Sequence, residues 1–152
     1  MDAATAARLA DRLEIDDLLT RYATGVDRRD WDLWETCFTP DARIDYTAFG
    51  GIAGPVKTVR AWLEEVMPRF EMSQHLVVNR DVTIEGDTAR SRAAFFNPMA
   101  LATPQGRVLF FEGGYYVDRL VRTPAGWRID ERVEEFSYST RLSPLLAAAR
   151  PS

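Results

Sequence analysis

The sequence predicts an α+β fold in which helices come first and a strongly curved sheet of consecutive strands wraps around them, leaving a pocket at its open end. Three observations support this. Over residues 3–26 the apolar positions Leu9, Leu13, Leu18, Leu19, Tyr22 and Val26 recur at helical spacing, with no proline and no glycine before Gly25. From Gln74 onward the apolar period becomes two. The long strands of that half are separated by tight turns such as Glu85-Gly86-Asp87, so they pair antiparallel and must bury one face against the preceding helices.

Each element follows from its own residues. Asp11, Arg12, Glu14, Asp16 and Arg21 fill the polar side of the first helix. A second, short helix is expected over residues 30–37, where Trp31, Trp34 and Phe38 recur at helical spacing and Pro40 marks the end. Residues 42–47 alternate and read as a short strand, and residues 49–54, rich in glycine, read as a flexible connection. Pro55 suits the first turn of a third helix running to about Met67, with Val59, Trp62, Leu63 and Val66 as its apolar stripe. Strands are then expected over residues 75–84, 88–99, 107–122 and 127–140, with a turn at Thr123-Pro124-Ala125-Gly126 before the last. No repeat or Pro/Gly/Ser linker divides the chain, so residues 1–152 read as one domain. The apolar tail over residues 142–150 either docks over the pocket or a partner chain, or frays.

Composition narrows the function. At 152 residues, 46% hydrophobic and 28% charged, the chain has ordinary globular usage and can bury a proper core. Four Trp, five Tyr and eight Phe supply rings enough to line a ligand cavity as well as a core. The net charge of −4 and the mixed runs Asp27-Arg28-Arg29-Asp30 and Arg128-Ile129-Asp130-Glu131-Arg132 leave no basic field for a phosphate backbone, so nucleic acid is not an expected partner. Cys37 is alone, which excludes an intrachain disulfide and a cysteine zinc site. There is no basic start with an apolar run like a signal peptide and no segment of about 20 apolar residues for a membrane span, so the reading is a cytoplasmic protein. Gly-rich phosphate loops, the Gly-x-Ser-x-Gly elbow and His/Cys ligand clusters are missing, so no cofactor and no bound metal are expected.

Few side chains are left to carry chemistry. His75 is the sole histidine, the one side chain that ordinarily titrates near neutral pH. Strand alternation puts it on one face with Val77 and Asn79, either as a structural histidine or as an acid–base group. Asp27 follows Leu19 and Ala23 along the first helix, toward the apolar side. A carboxylate at a helix C-terminus is opposed by the helix dipole, and a nearby imidazolium would compensate; an exposed acid is the alternative. Tyr22 and Tyr46 could each donate to a substrate carbonyl or a developing oxyanion, although Tyr22 also sits at a core position. Asn97 shares strand parity with Ala93 and Phe95 and could orient a ligand, or else belongs to the Asn97-Pro98 strand end. Phe95, Trp31 and Phe49 join Asn97 as candidate substrate contacts.

Ile15-x-x-Leu-Leu-x-Arg-Tyr-Ala-x-x-Val-Asp-Arg-Arg-Asp-Trp-Asp32, Phe38-Thr-Pro-Asp-Ala42, Gln74-His75, Gly113-Gly-Tyr-Tyr-Val-Asp118 and Val121-Arg-Thr-Pro-Ala-Gly-Trp-Arg128 together resemble SnoaL-like members of the nuclear transport factor 2-like superfamily, in their scytalone dehydratase-like branch. The resemblance runs from about Leu9 to Thr140 and implies a cone-shaped α+β barrel with a highly curved mixed or antiparallel sheet. In scytalone dehydratase, bile-acid dehydratase and hexachlorocyclohexane dehydrochlorinase a histidine on the first long strand is the base and an aspartate ending the first helix region is its partner. His75 and Asp27 match these two, Tyr46 resembles a substrate- and water-binding tyrosine, and Tyr22 matches a tyrosine of the bile-acid enzyme. The chain departs from the pattern at Ala93, where scytalone dehydratase has a second histidine, and at Gly113 and Gly114, where it has polar residues. It also departs at Asn97 and Phe136, where the bile-acid enzyme has an aspartate and an arginine.

The resemblance thus implies a cofactor-free lyase of dehydratase type acting on a small hydrophobic or polycyclic carbonyl or hydroxy compound. An isomerase or polyketide-type cyclase using the same pair is the alternative, as is a small-molecule binder without turnover. A homodimer or homotrimer is expected, since curved sheets of this family commonly pair.

Overall fold

The computed structural model describes residues 2–140; the tail over residues 142–150 lies outside them. Helix α1 spans Ala3–Arg28, capped by the Asp2 carboxylate, which accepts from the Thr5 N–H, and closed by Arg29 in the left-handed region (φ 55°). Its face Ile15, Leu18, Leu19, Tyr22 and Val26 is buried, as the spacing requires. Helix α2 (Trp31–Glu35) is shorter than expected, because strand β1 (Phe38–Asp45) begins two residues before Pro40. The proline is tolerated there because the register of β1 shifts between Phe38 and Arg43. The segment expected to be a loose connection holds a short 3-10 turn at Thr47–Phe49 and the small strand β2 (Ala53–Pro55), antiparallel to β1. Helix α3 (Val56–Val66) then buries Val56, Val59 and Leu63.

The strands β3 (Phe70–Ser73), β4 (Leu76–Glu85), β5 (Thr88–Thr103), β6 (Gly106–Thr123) and β7 (Gly126–Ser139) complete a seven-stranded sheet of order β2-β1-β7-β6-β5-β3, with β4 also on β5. All pairs are antiparallel except β1 with β7, which is parallel, so the sheet is mixed. The sheet wraps the helices without closing, giving an α+β cone. β3 and β4 lie end to end along the same edge of β5, with Gln74 and His75 between them. His75 therefore precedes β4 rather than opening it.

Bulges set which residues look inward. One between Val78 and Asp81 takes Asn79 to φ 49° and to the surface, away from the face it was expected to share with His75 and Val77. On β7, Leu120 pairs Ile129 while Arg119 pairs Glu131, so Asp130 is the extra residue and the inward parity passes from Trp127 and Ile129 to Arg132 and Glu134. The core is the buried helix faces set against the inner faces of β1 and β4–β7. Among the described residues no helix is long and apolar enough to cross a membrane.

Candidate active site

The last turn of α1 crosses the junction between β3 and β4 and sets Asp27 there. Three donors from the junction offset the unfavourable helix dipole. The His75 backbone N–H donates to Asp27 Oδ2 at 2.8 Å, the Ser73 hydroxyl donates to Oδ1 at 3.1 Å, and His75 Nδ1 lies 2.6 Å from Oδ1. The histidine ring is 8% exposed and the carboxylate 24%, so the pair is shielded without being sealed off.

The other ring nitrogen meets Asn97, which is buried on the inner face of β5. Two amide orientations are possible, and they differ in what they leave unpaired. With the NH2 toward His75, the amide oxygen faces the backbone carbonyls of Gln74 and Pro98. With the amide turned over, its nitrogen donates to those carbonyls at 3.2 and 3.3 Å and its oxygen accepts from His75 Nε2 at 3.0 Å. The second pairs every group around a ring that carries both protons, whereas a neutral ring with a bare Nε2 takes the NH2 of the first. A protonated His75 thus finds an acceptor at each ring nitrogen, Asp27 on one side and Asn97 on the other.

His75 and Asn97 open onto a pocket of about 340 Å³ inside the cone. Its apolar wall includes Val26, Phe49, Trp62, Leu63, Val66 and Met99. Tyr22 from α1 and Tyr46, just after β1, bring their hydroxyls within 2.7 Å of one another on the same wall. Burial pushes both phenols up, Tyr46 further than Tyr22; the Arg132 guanidinium opposes the shift at each. Among the described residues no group of three or more His, Cys, Asp or Glu is placed to hold a metal ion.

The structure therefore brings together His75, Asp27, Asn97, Tyr22, Tyr46 and Phe49. Two candidate contacts lie elsewhere. Trp31 packs edge-on against Trp34 within α2, outside the pocket wall. Phe95 stands behind the wall, stacked on Tyr116 with ring centroids 4.4 Å apart and edge-on to Phe49. Sequence reasoning missed the two pocket acids, Glu112 on β6 and Glu134 on β7. It also missed the buried pair Asp118–Arg132 beneath Tyr22. For Glu112 and Asp118 a signal existed: they share strand parity with the core residues Phe110, Tyr116 and Leu120.

A curved sheet wrapped around N-terminal helices and enclosing a pocket is the fold this chain shares with its structural neighbours. The chain belongs to the SnoaL-like family: the SnoaL-like domain model matches residues 7–133. Rv2910c of Mycobacterium tuberculosis, an uncharacterised protein, is 47% identical over 128 residues, covering 84% of this chain and 86% of its own. Among solved structures, the Kfla4162 protein of Kribbella flavida superposes with a TM-score of 0.82 at 28% identity, over 93% of this chain and 99% of that one. The type 3 hexachlorocyclohexane dehydrochlorinase LinA of Novosphingobium barchaimii shares the fold at a TM-score of 0.74 and 20% identity, covering 90% and 93% of the two chains.

Proposed function

We propose that this protein is a cofactor-independent lyase that carries out a dehydratase-type β-elimination on a small hydrophobic carbonyl or hydroxy compound. The observation that carries the reading is the 2.6 Å contact between His75 Nδ1 and Asp27 Oδ1, with the ring's other nitrogen at the pocket wall. The dehydrochlorinase among the structural neighbours supports elimination chemistry on this scaffold. A pocket of about 340 Å³ is at the lower end of the usual range for small-molecule sites, about 300–1,000 Å³, which favours a ligand of one or two rings.

In this mechanism the ring enters neutral, with its proton on Nδ1 toward Asp27 and a bare Nε2; Asp27 fixes its orientation, and substrate displaces the Asn97 amide from Nε2. His75 takes a C–H proton at that nitrogen, the C–H electrons form the double bond, and the C–O pair leaves with oxygen. His75 then hands its proton to that oxygen, so water departs and the ring returns to its starting form. Asp27 accepts from Nδ1–H throughout, so it stabilises the imidazolium that proton abstraction creates. The same pair supports a second reading: a proton taken up at Nε2 can be returned to another carbon, giving an isomerase or cyclase.

The test is a screen of one- and two-ring hydroxy-ketones with wild type and His75→Ala, read by mass spectrometry. Loss of water that depends on His75 is the expected result, and unchanged mass with altered structure selects the isomerase or cyclase. A ligand that stays intact and binds equally well to His75→Ala would overturn catalysis and make the protein a binding module.

We propose in addition that a second copy of the chain covers the outer face of the sheet. Leu76, Phe96, Leu109 and Tyr138 stand there between 36 and 52% exposed, a contiguous apolar surface on β4–β7. Sedimentation of wild type against Leu109→Glu decides this. A dimer or trimer that dissociates supports it, and a monomeric wild type ends it.

A further inference from the structure

Beneath the phenols lies a charge pair that the chemistry above leaves unused. Asp118 on β6 and Arg132 on β7 are register partners across the inner face of the sheet. Arg132 Nε and Nη2 donate to the two Asp118 oxygens at 2.7 Å each, and both side chains are 0% exposed. A buried ion pair of this kind is a weak source of stability, because desolvation cancels most of the attraction. Its position is the informative part. The guanidinium carbon lies 3.9 Å from the centre of the Tyr22 ring and 4.2 Å from that of Tyr116, two rings set edge-to-face, so the cation sits in the corner between them. Tyr46 leans instead on Trp62, with ring centroids 6.5 Å apart.

We infer that Arg132 is a positioning residue: clamped by Asp118 under the Tyr22 ring, it makes Tyr22 the phenol that donates to the substrate oxygen, with Tyr46 donating to Tyr22 from behind. Of two hydroxyls 2.7 Å apart, one spends its proton on the other, and a single proton remains for a ligand. The oxygen better able to carry partial negative charge is the one that accepts. A cation against the ring face, in an interior without water to screen it, gives that advantage to Tyr22. Burial raises all three buried phenols, Tyr46 and Tyr116 well above their usual range, and Arg132 opposes the shift at each, with Glu134 acting the other way.

This inference rests on the proposed reaction only for the identity of the acceptor; the order of the phenols does not depend on it. The test uses no substrate. The full chain is labelled with 3-fluorotyrosine, whose phenol ionises at lower pH than tyrosine, and its fluorine resonances are assigned with Tyr22→Phe, Tyr46→Phe and Tyr116→Phe. In wild type Tyr22 titrates at the lowest pH of the three. In the paired variant Arg132→Met with Asp118→Leu, which removes both charges together, its midpoint rises by about one pH unit, while the exposed Tyr138 stays put. Wild-type protein in which Tyr46 or Tyr116 ionises first overturns the inference, as does a folded paired variant with an unmoved Tyr22. If the paired variant fails to fold, the wild-type order still decides. A wrong order leaves the Asp27–His75 reading intact, and a fruitless substrate screen leaves the order intact.

Discussion

The Nδ1 of His75 and the Oδ1 of Asp27 stand 2.6 Å apart although 48 residues separate them in the chain. The contact is fixed from both sides: the same carboxylate also takes the His75 backbone N–H at 2.8 Å, so ring and main chain of one residue are tied to one acid. A carboxylate gripped this way cannot swing to solvent without breaking two further bonds, which is the rigidity that proton transfer needs.

Asp27→Asn keeps the shape of that grip and removes its charge. Activity on any substrate found should fall by roughly 10²–10⁴-fold. Because the chain has a single histidine, the ring can be followed without overlap in nitrogen-edited NMR spectra. The hydrogen-bonded Nδ1 proton of wild type should be lost in the variant. An unchanged ring signal would mean that the two groups do not share a proton.

Asn97→Leu removes the acceptor at Nε2 and the donors to the Gln74 and Pro98 carbonyls. A net hydrogen bond contributes about 1 kcal/mol, so urea unfolding should show a loss of one to a few times that amount. Asn97→Asp, which restores an acceptor toward Nε2, should recover activity better than it recovers stability.

Gly114 has no room for a side chain. A Cβ there would lie 2.1 Å from the Glu135 carbonyl oxygen, whereas one at Gly113 would meet the Tyr138 ring at 2.2 Å. Tyr138 is 47% exposed and can turn aside, but the β7 backbone cannot. Gly114→Ala should therefore cost about 1–3 kcal/mol and more than Gly113→Ala, by thermal unfolding of the two variants side by side.

Asp11 gives a sign for the acid limb of stability. The Arg122 guanidinium, with hydrogen bonds of 2.6 and 2.9 Å, lowers its carboxyl, and the Trp127 indole N–H adds to the effect. A lowered carboxyl contributes stability that is fully present above the unfolded value of about 3.9 and is lost as pH falls through the lower folded value. Asp11→Asn should be less stable than wild type at neutral pH, with the gap closing in acid; urea midpoints across pH read this directly.

Cys37 is fully buried, and burial raises its thiol. Iodoacetamide should leave the native protein unmodified over hours and label it promptly in urea. Rapid native labelling would show that the floor of α1 and β1 opens readily.

Much of this was legible in the residues. The stripe from Leu9 to Val26 announced α1, although Leu9 and Leu13 stand exposed and Ile15 is buried in their place, and period-two runs announced β4–β7. The residues alone left Asp27 either an exposed acid or the partner of the only imidazole, and the family resemblance selected the pair with His75. The three- and four-residue strands β2 and β3 were hidden because a period cannot show itself in so few positions. Pro40 misled, since proline breaks helices and tolerates strand bulges alike. Arg132 stayed hidden for a different reason: the extra residue Asp130 reverses inside and outside along β7, so counting by twos from Ile129 sends Arg132 to the wrong face.

The parallel pairing of β1 with β7, sealed by the Ile129 N–H to the Cys37 carbonyl at 2.8 Å, has a temporal consequence. The segment around Phe38 leaves the ribosome early and waits for its partner about 90 residues later, so the first third of the chain cannot complete its sheet during most of synthesis. Such long closures slow folding. A release series of stalled nascent chains should gain protease resistance in one late step, as residues 126–139 emerge, rather than gradually.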